Sequence, residues 1–130
     1  MGVHMIYAAK TLRVFGIYLL ILGSLLVVVP NLALGIFHIP STSEVWIRVT
    51  GMLLLILGSY DILAARAALR SFFVWSVPLR LCVIVFFLAY VLFGLAPPIL
   101  LLFGAIDAAG AIWTWTALRG QDSAPSERAA

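Results

Sequence analysis

Phe103-Gly104-Ala105-Ile106-Asp107-Ala108-Ala109-Gly110-Ala111-Ile112-Trp113-Thr114 places an acid, Asp107, inside an apolar run that extends from Pro97-Pro98-Ile99 to Leu118. At helical spacing Asp107, Gly110, Ala111, Thr114 and Leu118 share one face. Hydrocarbon offers a carboxyl no partner, so that face has to meet protein, where such an acid pairs with a base or lines a polar cavity. The run therefore reads as a membrane-spanning helix turned inward in a bundle.

The rest of the chain has the composition this requires. Of its 130 residues, 65% are hydrophobic and 10% charged, whereas a soluble domain has about a quarter of its residues charged. A helix crosses the hydrocarbon layer of about 30 Å in about 20 residues, so the length accommodates four spans with short connections. The expected fold is all-α, a transmembrane four-helix bundle of up-down-up-down topology. Its spans lie at about 12–30, 45–65, 77–95 and 98–118, in one domain covering 1–119, with a disordered polar tail at 120–130.

Upstream of the acid-bearing run, Pro97-Pro98 breaks one helix and starts the next, so the last two spans are expected to form an antiparallel hairpin. Arg80 opens the third span in this reading. Arg66 to Ser76, with two arginines and three aromatics, suits the headgroup level. Asn31 to Glu44, apolar but broken by Gly35 and Pro40, suits an interfacial or re-entrant segment, and Ser41 or Ser43 is placed to cap the following helix. Lys10 and Arg13 precede a retained first span. Met1 to Ala9 receives no role.

Both termini of a four-span chain lie on one side. That side receives Lys10, Arg13, Arg66, Arg70, Arg80, Arg119 and Arg128, and the other only Arg48. The asymmetry predicts cytoplasmic termini. It argues against dual-topology exporters and fluoride channels, which need little bias. The net charge of +3 follows from these span-end residues and does not call for nucleic acid.

Cys82 is the only cysteine, which excludes an intrachain disulfide and a CxxC pair; inside a span it reads as a small core residue. His4 and His38 lie too near the ends of spans for a buried haem, and no metal site or cofactor is expected. No Ser-His-Asp arrangement or phosphate loop is present. Trp46, Trp75, Trp113 and Trp115 suit interface anchoring, whereas Tyr60 and Tyr90 are expected inside, with partners for their hydroxyls.

Arg13-Val-Phe-Gly-Ile-Tyr-Leu-Leu-Ile-Leu-Gly-Ser24 and Arg48-Val-Thr-Gly-Met-Leu-Leu-Leu-Ile-Leu-Gly-Ser59 match at an offset of 35. Each carries glycines seven apart, a flat stripe for close helix approach, so the first two spans should be neighbours. An inverted duplication and a chance match in a Leu/Ile/Gly alphabet both remain open.

Arg48 and Asp107 differ in expected depth by roughly 9 Å, within reach of a long side chain. Two charge pairs are expected: Arg48 with Asp107 or Glu44 on the outer side, and Asp61 with Arg80 as a structural ion pair on the inner side. Either these pairs only neutralise buried charge and fix register, or Glu44, Arg48, Tyr60, Asp107, Trp113 and Thr114 bind an apolar molecule with a polar head.

The layout resembles the DoxX-like group of small four-helix bacterial membrane proteins. The features that carry the resemblance are a first span ending at Pro30, an apolar outer connection, Arg48-Val-Thr-Gly51 opening the second span, Arg80 opening the third and an acid in the fourth. It implies a bacterial cytoplasmic membrane and either proximity to quinone or a subunit role, with Arg48 and Asp107 as the residues to test. The expected function is accessory or ligand-binding, with a membrane lipid, a quinone- or isoprenoid-like molecule, a second copy or a partner membrane subunit as the occupant. The alternatives are a small membrane enzyme using Asp107 as acid or base and an oligomeric transporter.

Overall fold

Backbone groups in hydrocarbon must be satisfied within their own segment, which leaves an apolar chain of this kind helical. The computed structural model describes residues 3–122. It contains helices α1 (Val3–Val28), α2 (Pro30–Ile36), α3 (Trp46–Arg66), α4 (Arg70–Leu92) and α5 (Leu100–Asp122). Among the described residues there is no strand. All but α2 are long and apolar enough to cross a membrane.

The central element is α1, which packs closely against both α3 and α5, while α5 also packs against α4. Glycines set the tightest crossing. A Cβ on Gly58 would lie 2.8 Å from the Gly16 carbonyl oxygen, and one on Gly16 would lie 3.0 Å from that of Gly58. Gly23 and Gly51 meet in the same reciprocal way, at 2.7 and 2.8 Å. The two stretches that match at an offset of 35 therefore face each other in opposite directions. Each presents the same surface to the other about a local two-fold, as in an isologous interface. Gly104 performs a similar service between α5 and α4, its missing Cβ lying 3.2 Å from Ile84 Cα.

Helix limits differ from the sequence reading at two places. The first helix begins at Val3 and not near residue 12, and its opening turns are core: Ala8, Ala9 and Leu12 are buried against Ala64, Ala65, Phe73, Val77, Ala111 and Leu118. The third spanning helix begins at Arg70 and not at 77. The stretch expected to lie along the headgroups supplies the first turns of α4, with Phe73 fully enclosed and Ser76 buried while Arg70, Val74 and Trp75 are exposed. Arg80 is thereby moved from a helix start to about 15 Å along α4. Asn31 to Glu44, read as interfacial or re-entrant, supplies most of the short α2, a turn and an irregular return. The tail expected at 120–130 begins within α5, which runs to Asp122, and its remainder lies outside the described residues.

Caps explain the short connections. The α3 C-terminus closes with Leu69 N–H donating to the Ala64 carbonyl and Ala68 N–H to that of Ala65, the paired bonds of a Schellman turn. Ala68 consequently sits at φ 51°, where a Cβ is unfavourable. The α4 C-terminus uses the same turn with Gly94 at φ 72°. Ala68→Gly is therefore expected to stabilise the fold by about 1 kcal/mol, read from unfolding in detergent. A destabilised variant would show that the turn does not hold this conformation. The start of α3 has no side-chain cap, so neither Ser41 nor Ser43 fills that role; in the turn ahead of it Thr42 accepts the Glu44 N–H at 3.1 Å.

Candidate functional site

The bundle is stratified along its axis. Close-packed small and aromatic side chains fill the end near the termini, a charged layer crosses the middle, and an apolar cavity occupies the half beneath α2.

Arg80 is the centre of the charged layer and only 7% exposed. Its guanidinium stacks on Phe15 of α1, with Cζ 3.8 Å from the ring centroid, a favourable cation–π geometry. Its Nη1 donates to Thr114 Oγ1 at 3.2 Å, Thr114 lies 2.8 Å from Thr11 Oγ1, and Thr11 donates to the Ala8 carbonyl at 2.7 Å. Each hydroxyl has one proton, so Thr11 either gives its proton to Ala8 and accepts from Thr114, or gives it to Thr114; in both arrangements the two hydroxyls link α4, through α5, to α1. Thr114 has the Gly110 carbonyl, at 3.1 Å, as its other acceptor. Gly110 itself makes the space: a Cβ there would run into Arg80 Nη2.

Asp61 on α3 and Asp107 on α5 both act electrostatically on Arg80. Asp61 is buried and Asp107 half-buried. Neither docks on the guanidinium by hydrogen bonding, because Nε and Nη2 are buried without a partner among the described residues. Those two nitrogens form the side edge of the guanidinium fork, the edge suited to a bidentate acceptor.

Beyond this layer lies a cavity of about 210 Å³. Its walls come from Tyr18, Leu22 and Leu26 of α1, Ala33 and Leu34 of α2, Thr50 and Leu54 of α3, Phe87 of α4 and Phe103 of α5. Phe37, just after α2, closes over it and meets Phe103 edge to face at 4.8 Å between centroids. The helix α2 is thus a roof, seated by buried Ala33 and Leu34. Asp107 is the one carboxyl group in the wall.

The residues singled out from the sequence are not gathered in one place. Asp107 lines the cavity, and Thr114 lies in the Arg80 chain, fully buried. Ala111, Thr114 and Leu118 are all buried, so the inward face expected of the last helix is observed. Arg48 does not reach Asp107 or Glu44. It donates instead to the Val27 carbonyl in the last turn of α1, where a cation meets the negative end of the helix. Glu44 is exposed. Tyr60 and Trp113 point outward, at 57% and 44% exposure, and Tyr90 and Cys82 are likewise exposed and not interior. Asp61 and Arg80 are brought together electrostatically, with Asp107 as a third member.

Phe15, Tyr18, Thr11, Phe37 and Phe103 carry no mark in the sequence that separates them from ordinary apolar or interfacial residues. A signal for Arg80 was present. The apolar character of Phe72 to Phe87 continues on both sides of it, which a helix of full membrane length would have read as a mid-span charge. No protein-family model, curated protein or solved structure matches the chain.

Proposed function

We propose that the chain is a small accessory protein of the bacterial cytoplasmic membrane, up-down-up-down with both termini cytoplasmic, that holds a lipid-like molecule with an apolar body and one polar head. The observation that carries this is the roofed apolar cavity with a single carboxyl group in its wall. An apolar cavity of about 150 Å³ takes up a benzene-sized guest, whereas drug-sized ligands occupy about 300–1,000 Å³. A volume of about 210 Å³ therefore suits one ring or a comparable head, with the remainder of the molecule lying among the acyl chains. Quinone- and isoprenoid-like lipids have this form. The proposed orientation rests on basic residues. With Arg80 placed in the interior, Lys10, Arg13, Arg66, Arg70, Arg119 and Arg128 still oppose Arg48 alone. The DoxX-like affiliation is part of the same proposal, supported by the four-span layout and the acid in the last span, while Arg80, expected to open the third span, lies well inside α4. A second copy or a membrane subunit remains the proposed partner.

Native mass spectrometry of the gently extracted protein tests this reading. A co-purifying small molecule is expected, and Leu54→Trp, which fills the cavity, should lower its occupancy at least tenfold, by the cost of overpacking. Leu57→Trp, on the outward face of the same helix, should leave occupancy unchanged. Equal retention by both variants would place any bound lipid on the outer surface and end the proposal.

A further inference from the structure

We infer that the cavity selects a head that is positively charged, so that its preferred occupants are apolar molecules bearing an ammonium group. This rests on the cavity being a binding site and narrows that reading away from neutral quinones and isoprenols.

The argument begins with charge. The layer below the cavity contains two carboxyl groups, Asp61 from α3 and Asp107 from α5, and one guanidinium, Arg80 from α4. The helix α1 contributes Thr11, Phe15 and Tyr18 but no charge, and α2 contains no titratable side chain. Both Asp61 and Asp107 lie within electrostatic range of Arg80. Among the described residues Arg80 is the one base in electrostatic range of Asp107, so one guanidinium answers two acids. The layer carries one negative charge in excess when both acids are ionised, and in low dielectric an uncompensated charge is costly. A guest with one positive charge balances it.

Position decides which acid the guest meets. Of the three charged groups, only Asp107 is in the cavity wall; Arg80 and Asp61 do not line it. A cation in the cavity would meet Asp107 as the one charged group in the wall. The remaining wall supports the same chemistry. Tyr18, Phe37, Phe87 and Phe103 surround the space, and aromatic rings are the usual neutral hosts for quaternary ammonium groups. A neutral head gains nothing from the excess charge and competes for the same volume.

The test uses the full chain in lipid nanodiscs with two probes of the same shape, benzyltrimethylammonium and its uncharged carbon isostere neopentylbenzene. Affinities are taken from ligand-induced thermal stabilisation at matched free concentrations. The unaltered protein should bind the cation at least tenfold more tightly. Asp107→Asn removes the acid that meets the head and should bring the ratio close to one, with neopentylbenzene still bound. Asp61→Asn is the sharper variant. It touches no part of the cavity wall, yet it releases Arg80 to balance Asp107 and should also abolish the preference. Equal affinities in the unaltered protein overturn the inference and leave the cavity reading intact, as does a preference that survives Asp61→Asn. If neither probe binds the unaltered protein, the cavity reading itself fails. The ratio in the unaltered protein decides the matter even where a variant does not fold.

Discussion

Replacing Arg80 with Leu is expected to destabilise the fold by about 3–5 kcal/mol, the range for removing one partner from a buried charge set. The loss has identifiable components. Asp61 and Asp107 would face each other's charge with no base in the layer. Thr114 would lose its donor, and Phe15 the cation over its ring. Arg80→Lys should recover only part of this, since an ammonium is a point charge without the planar fork and ring-stacking surface of a guanidinium. Adding Asp61→Asn to Arg80→Leu should recover stability, because the second change removes one of the stranded acids. Reversible unfolding in mixed micelles, followed by helical circular dichroism, gives these differences. A loss below about 1 kcal/mol for Arg80→Leu, the size of an exposed pair, would show that the acids do not depend on this arginine.

The second large effect is expected at the glycine crossing. Gly58→Leu introduces a Cβ 2.8 Å from the Gly16 carbonyl oxygen and 3.1 Å from Leu19 Cβ. Backbone atoms cannot swing aside as a side chain can, so α1 and α3 must separate along their length. The cost should be about 3 kcal/mol, at the upper end for overpacking, since packing between close backbones is what holds helices together in lipid. The two-fold relation makes a further demand: Gly23→Leu, at the other reciprocal contact, should cost a similar amount. Gly35→Ala provides the control, since nothing lies within 4 Å of its missing Cβ, and it should leave stability almost unchanged. If Gly58→Leu behaved like Gly35→Ala, the α1–α3 crossing would not be close-packed.

The periodic features of the sequence were legible where one helix face sufficed to interpret them. The inward face of α5 follows from Asp107, Gly110, Ala111, Thr114 and Leu118 recurring at helical spacing, and burial agrees with it. The closeness of α1 and α3 follows from glycines seven apart in both, since a stripe without side chains on two apolar helices is wasted unless they meet. Charge pairing was less legible, because depth along a span depends on where the helix begins. Reading α4 as starting at residue 77 put Arg80 at the surface and left Arg48 as the apparent partner of Asp107. The earlier start at Arg70, made possible by an enclosed site for Phe73, reverses that assignment.

Hydrocarbon admits few backbone arrangements, and so composition and length were enough to determine four apolar helices, and residue spacing the inward-facing acid and the glycine stripes. Each of these is a property of one segment in a known solvent. Which arginine answers the acid, the roof formed by α2 and the cavity beneath it were decided only by tertiary packing. They depend on how five segments meet in register, and a shift of a few residues in a helix start moves a charged side chain by about 1.5 Å per residue, enough to change its partner.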